Sequence, residues 1–299
     1  MSFLEQVGQI AREAGRLAQD MEQSQALGIR EKGSSYDFVT EADIGSQRLI
    51  ARRVGELFPG DQVIGEEDNL TDAMVMARIA TAPKRAWLVD PLDGTVNYIR
   101  GLGGYAVSVA VFEAGEVLWG AIYLPESDEL FLAEKGRGAT RNGLPIRVAE
   151  RAELRASIGA THVPVSDMDL RRRALRWNES VVMNCQNLRI LGSSARTQTR
   201  VASGWLDFYY EYGPHPWDLA AGYLIVTEAG GTVTRLDGGP FDFGRGGVLA
   251  ASRTIHPEAL RLLSQADGHL SDFRYRSRPV RREYRVLPAL PEKIKEDYP

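Results

Sequence analysis

The sequence predicts a mixed α/β protein, and three observations carry that prediction. Residues 3–27 repeat apolar side chains at helical spacing: Leu4, Val7, Ile10, Ala14, Leu17 and Met21. Residues 105–148 change to short apolar runs cut by turn residues, the pattern of a β-meander. From about Ser157 strand-like and helix-like segments alternate.

The N-terminal stripe reads as an amphipathic helix. Lys32-Gly-Ser-Ser-Tyr-Asp37 is polar and rich in Gly and Ser, so a mobile loop is expected. A second helix starts near Asp43 and ends before Pro59-Gly60, and Val63-Ile64 and Ala86–Val89 read as short strands. The meander runs through Tyr105–Val111, a turn at Ala114-Gly115, Val117–Leu124, Leu130–Ala133 and Ile146–Val148, with Asn142-Gly143 as a hairpin turn. In the second half Ile158–Thr161, Leu206–Tyr210 and Thr232–Arg235 read as strands, and Ser193–Ser203 and Trp217–Ala229 as helices. The last helix has Pro216 at its start and Gly230-Gly231 after its end, the usual punctuation. From Asp272 the chain carries eight Lys/Arg, five Asp/Glu and four Pro. The expected division is an N-terminal α+β half (1–150), a C-terminal α/β half (151–267) and a charged tail (268–299), which packs as a strap on its own subunit or a dimer mate.

Composition narrows the function classes. With 43% hydrophobic and 25% charged residues the chain reads as globular. Its formal net charge of -4 argues against nucleic acid or an anionic membrane as partner. An acidic protein acting on an anionic substrate needs a cation in its site. The single cysteine, Cys185, allows no internal disulfide and suits a cytoplasmic setting; it is expected to be a packed side chain. Glu5, Arg12 and Glu13 exclude a signal peptide reading, and the longest apolar run, about Tyr105–Phe112, is far short of a membrane span. The four histidines form no H-E-x-x-H pattern, which disfavours zinc. Gly101-Leu-Gly-Gly104 lacks the strand–helix context of a dinucleotide site.

The chemistry concentrates in Trp87-Leu-Val-Asp90-Pro-Leu-Asp93-Gly-Thr95. An apolar strand ends in two carboxylates, and the amides of Gly94 and Thr95 open a helical turn. Carboxylates hold hard cations and helix-start amides hold phosphate, so one segment offers both halves of a metal-assisted phosphate site. The carbonyl of Leu92 is a further oxygen ligand. Phosphatases of the haloacid-dehalogenase type use D-x-D-G-T with the first Asp as nucleophile. That position here is Pro91, which disfavours a covalent aspartyl-phosphate route. Two further acidic elements stand far away in sequence: Ile64-Gly-Glu66-Glu67, and Asp218 in His215-Pro-Trp-Asp218.

W-L-V-D-P-L-D-G-T-V-N-Y, with the later W-D-L-A-A-G and E-A-G-G, resembles the paired signatures of the inositol monophosphatase family. Lys32…Asp37-Phe-Val-Thr-Glu-Ala-Asp43 and Gly-Glu66-Glu67 are similar to that family in the same order, and the resemblance covers roughly residues 3–266. It implies a layered αβαβα sandwich of the sugar-phosphatase type, a likeness to homodimers, and Mg²⁺-dependent hydrolysis of a small phosphorylated substrate. It further implies a first metal site of Glu66, Asp90 and the Leu92 carbonyl, and a second of Asp90, Asp93 and Asp218. Two or three ions are implied, with Mn²⁺ as a substitute. An all-oxygen donor set agrees with these metals. The resemblance makes Thr95 and Asp43 a water-orienting pair assisted by Glu66, with phosphate on the Gly94 and Thr95 amides. It puts Gly192, Ser193, Ser194 and Glu211 on the alcohol side and Lys32 near the metals. Asn97-Tyr98 favours inositol monophosphate as substrate; fructose 1,6-bisphosphate, 3'-phosphoadenosine 5'-phosphate and histidinol phosphate are the alternatives. Lithium inhibition is expected. A regulatory binding protein of the transcription machinery is the non-enzymatic alternative.

Overall fold

A computed structural model describes residues 1–24, 27–34, 37–163, 167–244, 247–267 and 284–286. The apolar stripe at the N-terminus forms α1 (Phe3–Gln23), opened by a capping box between Ser2 and Glu5. The segment expected to be a loop instead forms a hairpin, β1 (Arg30–Ser34) and β2 (Asp37–Val39). Pairing of main-chain groups, which needs no apolar alternation, is what makes it a strand pair. Then come α2 (Glu41–Leu57), capped by Thr40, β3 (Gln62–Gly65) and α3 (Asp72–Thr81). Strand β4 (Arg85–Asp93) does not stop at Val89 but continues through both aspartates. Its register against the next strand shifts between Asp90 and Asp93, and this irregularity accommodates Pro91, which has no N–H to donate. A single turn of helix, α4 (Thr95–Ile99), follows.

The meander is β5 (Ala106–Glu113), β6 (Glu116–Leu124), β7 (Glu129–Glu134), β8 (Ala139–Arg141) and β9 (Leu144–Pro145). Asn142 and Gly143, both at positive φ, make the β8–β9 turn. The last strand falls at 144–145 rather than 146–148 because that tight turn starts the pairing at once. The second half is β10 (Ile158–Thr161), α5 (Met168–Asn184), β11 (Asn187–Ile190), α6 (Ser194–Ala202), β12 (Phe208–Glu211), α7 (Pro216–Glu228), β13 (Thr232–Thr234), β14 (Val248–Ala251) and α8 (His256–Asp267).

Strands β3 to β9 form a seven-stranded sheet in sequence order, and β11-β10-β12-β14-β13 a five-stranded one. Alternation along β5 sorts the layers. Val107, Val109 and Val111 pack with Val7, Ile10, Ala14, Ile50 and Val54 of α1 and α2. Ala106, Ala110 and Phe112 face the opposite way, into a cluster with Ala195 and Val201 of α6 and Trp217, Leu224 and Ile225 of α7. That cluster also holds Ala160, Tyr209 and Ala250 of the five-stranded sheet. The far face of this sheet, through Phe208, Tyr210 and Leu249, packs on Trp177 and Val181 of α5 and Leu262 and Leu263 of α8. The order is therefore α1/α2, sheet, α6/α7, sheet, α5/α8: the αβαβα sandwich that the family resemblance implies. Helices α6 and α7 form its middle layer, and their N-termini meet the carboxyl end of β4.

Most of the 268–299 tail lies outside the described residues. One part does not: β15 (Tyr284–Val286) pairs antiparallel with β1, Lys32 opposite Tyr284 and Arg30 opposite Val286. A chain ending at residue 267 is expected to exchange its amide hydrogens faster at Arg30–Lys32 with no change in β4–β6, as read by hydrogen exchange. Unchanged exchange at those residues would contradict the pairing.

Candidate active site

The register shift at the end of β4 decides the site. Asp90 is still in the sheet, opposite Ser108, and is almost wholly buried. Its Oδ1 accepts the N–H of Leu92 at 3.0 Å. Asp93 lies past the irregularity and reaches across to the middle layer. Its Oδ2 accepts the Ser193 hydroxyl at 2.5 Å and the Ala195 N–H at 2.6 Å. Ser193 is the N-cap of α6, so one aspartate of β4 docks on that helix start. Gly94 turns the chain at φ 98°, and a Cβ there would stand 3.1 Å from the Gly192 carbonyl oxygen and 3.2 Å from Ser193 Cβ. Glycine is required by both the positive φ and the close approach.

Asp43 is the third residue of α2, and the capping box explains its position. Thr40 donates to its Oδ2 from the main chain at 2.8 Å and from Oγ1 at 2.5 Å. Its other oxygen, Oδ1, accepts from Thr95 Oγ1 at 3.2 Å; that hydroxyl also lies 3.1 Å from the Leu92 carbonyl oxygen. Thr95, Asp43 and Leu92 thus form one contact. Burial raises the Asp43 carboxyl to about 6, opposed by Lys32 and by the Thr40 hydroxyl.

Glu66 follows β3, which runs parallel to β4. Lys32 of β1 donates from Nζ to Glu66 Oε1 at 2.7 Å and is also paired with Glu67. The lysine expected near the site is therefore buried against it. Burial and the Glu66 charge push Glu67 up to about 8. Asp218 is in the first turn of α7 and accepts the His215 N–H at 2.7 Å. Glu211, at the end of β12, accepts from Ser194 Oγ at 2.6 Å and from the Tyr209 hydroxyl.

The acidic residues share one electrostatic field. Burial raises Asp90 well above the ordinary carboxylate range, and Glu66, Asp93 and Asp218 add to it. Burial does the same to Asp218; His215 opposes it, and Asp93, Glu211 and Glu66 reinforce it. Burial also raises Asp93, against the hydrogen bonds from Ser193 and Ala195. Among the described residues no three Asp, Glu, His or Cys side chains close into a ready cage for a metal. Each carboxylate is instead turned to its own donor: Glu66 to an ammonium, Asp93 to a hydroxyl and an amide, Asp218 to its helix cap. Clustered carboxylates with raised pKa values and only oxygen donors are the chemistry that a hard divalent cation neutralises.

Several contacts escaped the sequence reading. His215 Nδ1 lies 2.8 Å from Asp72 Oδ1, and its ring stacks on Trp217 at 4.6 Å. Burial would lower this imidazole, but Asp72, Asp218 and Glu66 raise it to about 9. Gln198 Nε2 donates to the Asp218 carbonyl at 2.9 Å, tying α6 to α7. Asn97 Nδ2 donates to the Leu191 carbonyl at 2.8 Å, holding α4 to the loop before α6. Asp72 and Gln198 carry no motif; only the fold brings them in.

Comparison with known proteins gives the family of the chain. The model of the inositol monophosphatase family matches residues 2–267. The chain is 33% identical over 237 residues to the fructose-1,6-bisphosphatase/inositol-1-monophosphatase of Thermotoga maritima, covering 79% of this chain and 86% of that protein. It is also 33% identical over 243 residues to the Nus factor SuhB of Vibrio cholerae, covering 81% and 88%. A solved structure of a Thermotoga maritima IMPase superposes with a TM-score of 0.79 at 31% identity, covering 91% of this chain and 100% of that one. A family model matched over residues 2–267 and relatives one-third identical over most of the chain lead to one conclusion: the chain belongs to the inositol monophosphatase family.

Proposed function

We propose that the chain is a Mg²⁺-dependent phosphomonoesterase for a small phosphorylated polyol, with inositol monophosphate the leading substrate. The observation that carries this reading is the mutual electrostatics of Glu66, Asp90, Asp93 and Asp218, which come from three separate parts of the sequence and raise one another's pKa around the buried Asp90. Glu66, Asp90 and the Leu92 carbonyl would hold one cation, and Asp90, Asp93 and Asp218 a second, with Mn²⁺ able to replace Mg²⁺. Such ions polarise phosphoryl oxygens and lower the pKa of bound water.

The protein's own groups do the rest. Thr95 Oγ1, with its hydrogen directed to Asp43 Oδ1, turns its lone pairs to a water. Asp43 is ionised above a pH of about 6 and accepts that hydrogen at neutral pH. Glu66 is a second acceptor for the water's protons. The Gly94 and Thr95 amides fix the phosphate oxygens, and Glu211 accepts from a hydroxyl of the alcohol. Lys32 balances Glu66 and Glu67 within the same buried volume. The proposed setting is a cytoplasmic homodimer. Among the described residues no helix is long and apolar enough to cross a membrane.

A second reading has a specific observation behind it: a relative of equal identity is named as a Nus factor. A phosphate-release panel with Mg²⁺ separates the two. Inositol 1-phosphate is expected to turn over faster than fructose 1,6-bisphosphate, 3'-phosphoadenosine 5'-phosphate or histidinol phosphate. Release from none of the four would favour a binding role over catalysis.

A further inference from the structure

His162 stands where β10 ends, and none of the roles above uses it. Strand β10 pairs in parallel with β12, with Ala160 beside Tyr209 and Thr161 beside Tyr210. The same register continued by one residue sets His162 beside Glu211. Alternation puts them on the same face: Ala160 and Tyr209 lie in the middle-layer cluster, while Tyr210 faces α5 and α8. Both residues therefore point toward the layer that carries Ser193, Ser194 and the docked Asp93.

Two further observations support this placement. Burial raises the Glu211 carboxyl, and His162 is the strongest influence opposing that rise. The same imidazole acts in the same sense on Asp93, after burial and the Ser193 and Ala195 hydrogen bonds. The ring is half-buried, and its Nδ1 is enclosed without a hydrogen-bond partner. Buried ring nitrogens are nearly always bonded, so this one is an exception that calls for a partner. Glu211 Oε2 is already taken by Ser194 and Tyr209, which fixes the orientation of that carboxylate.

We infer that His162 is a specificity-determining residue that hydrogen-bonds a hydroxyl of the alcohol part of the ester and, with Glu211, selects phosphorylated polyols over esters without hydroxyls. A carboxylate acceptor and an imidazole side by side suit two neighbouring hydroxyls, one donating and one accepting. A plain alkyl or aryl phosphate engages neither. This inference rests on the phosphomonoesterase reading and deepens it.

The test compares wild type with His162→Phe, which keeps a ring of similar size, and His162→Asn, which keeps hydrogen bonding. Steady-state kinetics with Mg²⁺ are run on inositol 1-phosphate and on p-nitrophenyl phosphate. His162→Phe is expected to raise KM for inositol 1-phosphate about tenfold, the size of one lost hydrogen bond, with kcat little changed. Its kcat/KM on p-nitrophenyl phosphate should match wild type, and His162→Asn should recover part of the lost affinity. Equal loss on both esters, or no loss on inositol 1-phosphate, would overturn the inference. Calorimetric binding of inositol 1-phosphate in the presence of Ca²⁺ reads the same contrast without turnover. Wild-type binding with Ca²⁺ but no turnover with Mg²⁺ would sink the phosphatase reading alone, and equal affinities of wild type and His162→Phe would sink the His162 contact alone. No binding by wild type would overturn both.

Discussion

Asp93→Asn is expected to cut Mg²⁺-dependent phosphate release by about three orders of magnitude, equivalent to about 4 kcal/mol of transition-state stabilisation. The reasoning starts from what the substitution leaves alone. Asparagine retains an oxygen to accept from Ser193 and from the Ala195 N–H, the two bonds that dock β4 on α6. The core on either side of the sheet is untouched. Only the charge is lost, and the charge is what a cation between β4 and α7 needs. Phosphate release and the circular dichroism of the same preparation check this together. Turnover near that of wild type, in a folded variant, would count against the proposed metal role of Asp93.

Asp90→Asn should separate stability from function in the opposite direction. Without metal, Asp43 is raised from 3.8 to about 6 and Glu67 from 4.5 to about 8, both first of all by burial. Asp90 and Asp218 are raised in the same sense. For an acid raised in this way the unfolded chain gives up its proton first. Between a pH of about 4 and about 8 the folded chain therefore binds more protons than the unfolded one, and stability falls as pH rises. His215, raised to about 9, contributes in the same direction, since its stabilisation is present below its unfolded value and lost as pH rises through 9. The metal-free protein should melt at a lower temperature at pH 8 than at pH 5, and Mg²⁺ should raise Tm more at pH 8, where the carboxylates are ionised. Asp90→Asn removes the most crowded of these charges and keeps an acceptor for the Leu92 N–H. Its metal-free Tm at pH 8 should exceed that of wild type by about 5 °C, on a scale of about 2–4 °C per kcal/mol, while phosphate release is lost. A metal-free variant less stable than wild type at pH 8 would contradict the strained carboxylate cluster.

The site was legible wherever its chemistry is local. Asp90, Pro91, Asp93, Gly94 and Thr95 lie in one short run, so strand end, bend and helical turn can be read together. The short apolar runs of β5 and β6 and the Asn142-Gly143 turn are legible as a meander in the same way. What stayed hidden depends on partners remote in sequence. Lys32 sits in a Gly/Ser-rich segment with no apolar pattern, and main-chain pairing with β2 and β15 makes it a strand. Asp72 meets His215 across 143 positions, and neither residue signals the other. Helix α5 buries Leu170, Ala174, Trp177 and Val181 at helical spacing, but the arginines between them mask the stripe. Strand β14 is a four-residue apolar run, too short for its periodicity to tell strand from helix.

The most direct measurement is the anomalous scattering of a crystal soaked in Mn²⁺. The proposal expects peaks bounded by the carboxylates of Glu66, Asp90, Asp93 and Asp218, with Lys32 drawn off Glu66. Manganese bound elsewhere, or none among these four side chains at saturating concentration, would contradict it.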